Sequence, residues 1–99
     1  MTPFHQSVYD VVRLIPRGNI LTYKDIGRIL GTRAYRAIGT ALKQNPTLIQ
    51  IPCHRVILSN GSVGGYVKGQ TAKVRLLTSE GVKVVHGKID VKTYRWQKN

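Results

Sequence analysis

The close spacing of residues that end helices or turn the chain is the strongest constraint on this fold. Proline or glycine stands at Pro16, Gly31, Pro46 and Gly61, and such residues stop a helix or reverse the chain direction. The segments between them are short, and no internal repeat or low-complexity linker separates them. The sequence therefore predicts a mainly α fold in a single domain over residues 1–99.

The first two predicted helices begin with capping signals. The first begins at Pro3, because proline is favoured at the first helical position, and it ends at Pro16. The second covers residues 23–30, with Thr22 opening a capping box before it and Gly31 terminating it. Both segments carry apolar residues at helical spacing, so each is expected to pack one face on the core.

The charge of the chain indicates a polyanionic partner. Sixteen Lys and Arg stand against four Asp and Glu, which gives a formal net charge of +12. No stretch approaches the roughly 20 apolar residues of a membrane-spanning helix, so we expect a nucleic acid rather than a membrane. The start of the chain lacks a secretory signal and there is one cysteine, which predicts a cytoplasmic, nucleoid-associated location, or a nuclear one in a eukaryote.

The third predicted helix has two chemically different faces. Its apolar face is expected to pack after a turn at Gly31, as in a helix-turn-helix whose second helix enters DNA. That apolar face contains Ala34, Ala37, Ile38, Ala41 and Leu42. The opposite side, which we call the basic face and expect to contact DNA, comprises Arg33, Arg36, Thr40 and Lys43.

A β-hairpin is predicted after these helices. Residues 56–58 are apolar, and the following Ser-Asn-Gly-Ser at 59–62 is a strong turn signal before Val63. We interpret this hairpin as a wing, so the expected fold is a winged helix-turn-helix. The remaining chain is predicted to contain a flexible loop over residues 64–69, a helix over 71–80 and a small hairpin around His86 and Gly87.

The segment around the single cysteine carries the chemistry. Pro52, Cys53, His54 and Arg55 are consecutive, so a thiol stands beside an imidazole and a guanidinium. A cysteine thiol is mostly protonated at neutral pH, and a nucleophilic role needs an electropositive setting or a nearby base. Taken alone, a single cysteine between apolar residues is also typical of a buried packing residue. One cysteine and three scattered histidines offer no metal-ligand spacing, and neither metal nor cofactor is expected.

The same segment resembles the active-site signature of a known family. Pro52-Cys53-His54-Arg55-Val56 is similar to the signature of the O6-alkylguanine-DNA alkyltransferases, also called methylated-DNA–protein-cysteine methyltransferases. Further segments occur in the order and spacing of that family: residues 18–23, 36–39, 45–46, 61–66 and the Glu80-Gly81 pair.

The resemblance implies a catalytic role for five residues. Cys53 would accept the alkyl group, His54 would act as its general base through a water, and Glu80 would orient the imidazole. Tyr23 would hydrogen-bond the guanine and help to protonate it as the alkyl group leaves. Asn45 would tie the recognition helix to the active-site turn.

The resemblance also implies how double-stranded DNA containing O6-alkylguanine would be held. Arg36 would enter the base stack in place of a damaged nucleotide that has rotated out of the duplex. DNA contacts are expected from Arg36, Arg33, Thr40, Lys43 and Arg55, and the base pocket is expected to comprise Tyr23, Tyr66, Val67 and Pro52. Many members carry a serine where this chain has Val67, which affects the expected contacts in the pocket.

Two other functions stay open at the level of sequence. Met1 begins almost directly at the first helix, so the leading domain common in the family, with any zinc it holds, is expected to be absent. The short length resembles the alkyltransferase-like proteins, which bind alkylated guanine without repairing it and direct excision-repair proteins to it, although these replace the acceptor cysteine. A winged-helix transcription regulator would explain the charge but not the Cys53 segment. In each case we expect a monomer.

Overall fold

The structure, a computed structural model, describes residues 2–97. The order of its elements along the chain is α1 (Pro3–Arg13), β1 (Leu21–Thr22), α2 (Tyr23–Leu30), α3 (Tyr35–Lys43), a 3-10 turn (Cys53–Arg55), β2 (Val56–Ile57), α4 (Gln70–Ser79) and α5 (Val91–Tyr94). Within the described part of the chain, no helix is both long enough and apolar enough to span a lipid bilayer.

The first two helices begin at the predicted caps. The Thr2 hydroxyl accepts a hydrogen bond from the His5 amide ahead of α1. At α2, the Asp25 amide donates to the Thr22 hydroxyl over 3.1 Å while the Thr22 amide donates to the Asp25 carboxylate over 2.9 Å. Gly31 ends α2 in the left-handed conformation with φ 70°. Both predicted helix starts are confirmed, and at α2 the capping box satisfies its own backbone donors locally.

α3 packs against α1 and α2, and only part of its predicted apolar face is buried. Ile38, Ala41 and Leu42 are buried, whereas Ala34 is exposed at the N-cap and Ala37 is only partly covered. The predicted burial of Ala34 is therefore wrong, because this residue precedes the helix and makes no side-chain cap.

The predicted hairpin wing is not supported. The turn at residues 59–62 forms, with the Leu58 amide donating to the Ser62 carbonyl over 2.9 Å. However, β2 pairs in parallel with β1, in the register Leu21 with Val56 and Thr22 with Ile57. Both β2 residues are fully buried, and a strand covered on both faces is typical of parallel rather than exposed hairpin pairing. The winged part of the predicted fold class is therefore not confirmed, whereas the helix-rich single domain is.

A hairpin wing would have paired residues 61–63 with β2. These residues instead pair with the later segment of residues 87–89. The Ile89 amide donates to the Gly61 carbonyl over 2.8 Å, and the Val63 amide donates to the Gly87 carbonyl over 3.0 Å. The small predicted hairpin is confirmed: Val85 and Lys88 exchange two hydrogen bonds of 2.9 Å around a turn with positive φ at both central residues. Positive φ at both positions is typical of a type I′ turn.

The core has two clusters that meet at the β1–β2 pair. The first contains the buried faces of α1, α2 and α3 together with Leu21 and Val56. The second contains Ile20, Ile57 and the buried side of α4 and the later segments. Since neighbouring strand residues point to opposite faces, the two-residue strands connect both clusters. The active-site turn immediately precedes β2 and is therefore held by both.

α4 differs from its prediction in one informative way. It covers Gln70–Ser79 rather than residues 71–80, and Leu77 is buried as expected while Val74 and Leu76 are partly covered. Its other fully buried side chain is Lys73, at 1% exposure. A lysine thus occupies a core position beside the active-site turn.

Candidate active site

The single cysteine lies in a tight 3-10 turn at the start of β2. Its amide donates to the Ile51 carbonyl over 2.7 Å, and the Arg55 amide donates to the Pro52 carbonyl over 2.9 Å. Cys53 is 6% exposed and belongs to the first core cluster. The fixed φ of the preceding proline and the burial of β2 leave the thiol little freedom to move.

His54 and Glu80 form a buried pair. The His54 Nε2 and the Glu80 Oε2 are 3.0 Å apart, with side-chain exposures of 0% and 6%. An ionised carboxylate can only accept a hydrogen bond, so Nε2 carries the proton and Nδ1 holds a lone pair. Among residues 2–97, Nδ1 is a buried nitrogen without a hydrogen-bond partner. The imidazole is therefore oriented by Glu80, and its basic nitrogen is not occupied by any other described group.

Arg55 does not occupy the DNA-contacting position predicted for it. Its Nε and Nη2 donate to the two Glu80 carboxylate oxygens over 2.8 and 2.7 Å, and its Nη1 donates to the Ile15 carbonyl over 2.7 Å. Its side chain is only 14% exposed. The guanidinium is committed to a bidentate ion pair inside the protein, so its role here is to hold Glu80 beside His54.

Burial and these contacts determine the charge of each group. Burial raises the pKa of the Cys53 thiol, although the side chain of Asn45 and the charge of Lys73 act to lower it. Burial lowers the pKa of His54 despite the opposing effect of Glu80. For Glu80, burial raises the pKa, but hydrogen bonds from Arg55 and His54 outweigh it and the net pKa is lowered. The resting site thus holds a thiol, a neutral imidazole and a carboxylate.

Lys73 is a part of the site that sequence reasoning missed. Its ammonium donates to the Val56 carbonyl over 2.7 Å and to the Gly65 carbonyl over 3.1 Å. Burial lowers the pKa of Lys73 to about 8, while interaction with Cys53 acts to raise it. The sequence held a signal for this position: Lys73 stands four residues before Leu77 and seven before Glu80, on the same helical stripe.

Asn45 connects the end of α3 to the segment that leads into the cysteine turn. It follows α3, and its side-chain amide donates to the Ile51 carbonyl over 2.7 Å while its oxygen accepts from the Thr47 amide over 2.9 Å. Asn45 thus bonds to the backbone of Ile51, which stands two residues before Cys53.

Cys53 opens onto a cavity of about 470 Å³. Three of the four predicted pocket residues line it, Tyr23, Tyr66 and Val67, while Pro52 is buried behind the cysteine and is not among the lining residues. Burial raises the pKa of both tyrosines, so each keeps its hydroxyl proton. The other lining residues, which sequence reasoning did not place here, are Gly39, Leu42, Lys43 and Gly65.

The basic face of α3 borders this cavity. Arg36, Thr40 and Lys43 lie on α3, whereas Arg33 precedes the N-cap Ala34 and so lies just before the helix rather than on it as predicted. All four side chains are exposed, and within the described chain no salt bridge involves the three cations among them. Gly39 and Lys43 line the cavity, and Arg36 stands one helical turn before Gly39 on the same side. The site can therefore combine an exposed cationic surface with a recessed nucleophile.

Residues 2–97 contain no cluster of three or more His, Cys, Asp or Glu side chains arranged to hold a metal ion. The acid and base groups at Cys53 are instead paired with one another.

Comparison with known proteins agrees with this arrangement. The family model for 6-O-methylguanine DNA methyltransferase, DNA binding domain, matches residues 3–82. The methylated-DNA–protein-cysteine methyltransferase of Saccharolobus solfataricus is 52% identical over 82 residues, which is 83% of this chain and 53% of that protein. The chain thus spans about half the length of this curated relative.

Two solved structures are also similar. Mycobacterium tuberculosis OGT in complex with DNA has a TM-score of 0.79 at 39% identity, covering 82% of this chain and 50% of that one. S. pombe Atl1, in complex with damaged DNA containing O6-carboxymethylguanine, has a TM-score of 0.87 at 30% identity, covering 99% and 98%. The family match spans the cysteine turn, the cavity and the basic face, and this chain belongs to the family of the 6-O-methylguanine DNA methyltransferase DNA-binding domain.

Proposed function

We propose that the protein repairs DNA by moving an alkyl group from the O6 atom of guanine onto Cys53. The observation that carries the proposal is the arrangement of the cysteine. A recessed thiol lies next in the chain to a neutral imidazole held by Glu80, and it opens onto a cavity lined by two protonated tyrosines. This is the arrangement of an activated nucleophile whose base is itself oriented by a third group.

The transfer is a bimolecular substitution at the alkyl carbon. The Cys53 proton passes to His54 Nδ1 through a water, and the sulfur forms a bond to the alkyl carbon as the carbon–O6 bond breaks. The electron pair stays with guanine, and Tyr23 supplies a proton to the departing base. Cys53 thus loses one proton to His54 and guanine gains one from Tyr23, and the imidazolium and the phenolate then return to their neutral forms by proton exchange with solvent. The products are an intact guanine and a thioether, which has no ready hydrolytic exit, so each molecule acts once.

The recessed position of Cys53 requires the damaged base to leave the duplex. An alkyl group stacked inside DNA cannot reach a nucleophile at the bottom of a cavity. Arg36 lies one turn from the cavity mouth on an exposed helix face, a suitable place for a side chain that fills the vacated space. Arg33 and Lys43 supply positive charge near the phosphates, which holds the duplex without reading its sequence.

Mass spectrometry of the intact protein and its peptides tests this proposal. The protein is incubated with a duplex carrying O6-methylguanine, and C53S serves as the matched control because it replaces sulfur with oxygen at nearly the same size. We expect a gain of one methyl group on the peptide that contains Cys53, and no gain in C53S. Tight binding of the lesion without an adduct would overturn the proposal.

That overturning result would favour a second function, a sensor of alkylation damage. The observation in its favour is the likeness to S. pombe Atl1 over nearly the full length of both chains. A sensor would prefer the lesion duplex over undamaged DNA, leave it unchanged and recruit excision-repair proteins. The acceptor thiol and its paired base favour the transfer reaction over this alternative.

A further inference from the structure

A short segment near the end of the described chain borders the strand that leads into α2. We call residues 94–96 the strap. The Ile20 amide donates to the Tyr94 carbonyl over 2.9 Å, and the Trp96 amide donates to the Ile20 carbonyl over 2.9 Å. Trp96 also packs against the first core cluster. The strap lies outside residues 3–82, the range matched by the family model, and it extends the β1–β2 pair on its open side.

The strap brings a cation to a buried carboxylate. Arg95 Nε donates to Asp25 Oδ2 over 3.1 Å, and the Asp25 side chain is 6% exposed. The same Oδ2 accepts from the Thr22 amide, so it is the oxygen that closes the capping box of α2. A buried carboxylate without a nearby cation is costly, and Arg95 supplies that cation on the side facing the strap.

The helix start held in this way carries the pocket tyrosine. Tyr23 is the first residue of α2, directly after Thr22, and its side chain lines the cavity above Cys53. Any rotation of the Thr22–Asp25 cap would turn the Tyr23 backbone, because Tyr23 lies between its two members. The position of the hydroxyl in the cavity therefore depends on the ion pair that fixes the cap.

We propose that Arg95 is a positioning residue for Tyr23, acting through Asp25. The inference rests on the proposed alkyl transfer, in which Tyr23 donates a proton to guanine. It extends the machinery of the site to a segment beyond the matched range of the family model. Arg95 need not touch the substrate; it fixes the cap from which the tyrosine projects.

A neighbouring arginine provides a matched control. Arg28 Nη1 contacts Asp25 Oδ1 at 3.3 Å, but the Arg28 side chain is 75% exposed. An exposed pair of this kind stabilises little, because water screens it. R95Q and R28Q thus each remove one cation from the same carboxylate, and only R95Q removes the one on the oxygen that closes the cap.

The experiment measures the single-turnover rate of alkyl transfer from saturating O6-methylguanine duplex. We expect R95Q to slow transfer about 10-fold, because a displaced proton donor loses much of its effect, while R28Q stays within about twofold. R95K should recover part of the lost rate. In the Y23F background, R95Q should add nothing, because the hydroxyl it positions is already absent. Affinity for undamaged DNA and the melting temperature are recorded for every variant.

Independent losses would overturn the inference. If R95Q slows Y23F by the same factor as it slows the parent protein, Arg95 does not act through the tyrosine. The same holds if R95Q lowers the melting temperature but leaves the transfer rate unchanged. If the parent protein forms no adduct, the proposed transfer fails separately. In that case the measured quantity is the preference of the protein for lesion DNA over undamaged DNA. R95Q should lower this preference as much as Y23F does. A smaller effect of R95Q would overturn the inference as well.

Discussion

The cysteine turn and the basic face of α3 lie side by side but are built in opposite ways. At the turn, the side chains of His54 and Arg55 both bond to the carboxylate of Glu80 within 3.0 Å, and little of any of the three is exposed. On the basic face, Arg33 and Arg36 are exposed and take part in none of the salt bridges found in residues 2–97. One region holds its charges internally, and the other leaves them available to a partner.

This difference indicates two separate roles: the cysteine turn is suited to the proposed reaction, and the basic face is suited to the electrostatic attraction of DNA. A buried ion pair has one geometry and a strong effect on neighbouring protonation, because the surroundings screen it poorly. An exposed cation has many conformations and acts through a field that salt weakens. Mutations in the turn should therefore alter the reaction and the stability of the fold, whereas mutations on the basic face should alter the encounter with DNA.

The largest effect is expected from E80Q. The amide cannot balance Arg55, and removing one member of a buried pair costs about 3 kcal/mol of unfolding free energy. Transfer should fall about 100-fold or more, since His54 loses the group that orients it. Denaturant unfolding and single-turnover transfer measure the two effects.

The surface pair of Asp10 and Arg13 gives the control for E80Q. These atoms are 3.7 Å apart and both side chains are more than half exposed. D10N should change stability by less than about 0.5 kcal/mol and leave the transfer rate unchanged. Equal destabilisation by the two substitutions would contradict the contrast between a buried and an exposed charge.

The next largest effect is expected from R36A. If this side chain replaces the extruded base, transfer should fall about 100-fold, because extrusion costs several kcal/mol that the arginine offsets. Affinity for undamaged duplex should fall only about threefold, the effect of one lost phosphate contact. R33A is the matched control on the same face, and it should weaken both substrates alike. Equal losses for R36A on lesion and undamaged DNA would remove the distinction between the two arginines.

Lowering the pH should reduce the transfer rate less than E80Q or R36A does. Burial holds the pKa of His54 below its ordinary value of 6.5, so the base stays neutral as the pH falls to that value. The transfer rate should be independent of His54 protonation from about pH 8 to 6.5 and decline only at lower pH. A rate that already declines near neutrality would contradict a neutral, buried base.

The same shift sets the direction of the change in stability. Below pH 6.5 the unfolded chain binds a proton at His54 that the folded chain resists, so acid favours unfolding. The lowered pKa of Glu80 adds to this below its ordinary pKa of 4.5, as the unfolded state protonates first. Unfolding curves recorded across this range should show a midpoint that moves to lower denaturant as the pH falls.

The smallest effect is expected when R33Q is tested for the salt dependence of its affinity for DNA. Affinity for undamaged duplex should decrease linearly with the logarithm of salt concentration, and R33Q should reduce that slope by about 0.9, the value for one phosphate contact. E80Q, if folded, should leave the slope unchanged, because Glu80 contacts no DNA. A fluorescence titration at several salt concentrations measures it, and identical slopes for R33Q and the parent would place Arg33 outside the interface.

Local signals accounted for the parts of the fold that the sequence predicted well. The capping box at Thr22 and the glycine at Gly31 gave both ends of α2, because caps are satisfied within a few residues. The two-residue hairpin at His86 and Gly87 follows from the same kind of local geometry. For the site, the consecutive Cys53 and His54 were accessible to sequence reasoning because they resemble a known signature.

Contacts between residues that are far apart in the sequence could not be predicted from such local signals. Residues 56–57 carry equally good signals for a hairpin with the following segment and for pairing with distant β1, and only burial on both faces decides between them. Arg55 looked like a DNA contact because its partner, Glu80, lies 25 positions away. Lys73 was unexpected because lysine is rarely buried, and its two carbonyl partners become visible only once the chain has folded.

The pairing of Ile20 with the strap also has a consequence for biosynthesis. β1 is bordered by β2 on one side and by residues 94–96 on the other, so the strand that precedes Tyr23 is completed by nearly the last described residues. Contacts so distant in sequence form late, because loop closure has to precede them. In a nascent chain, the backbone of Ile20 therefore stays without these partners until residues 94–96 have been synthesised, well after the cysteine turn itself.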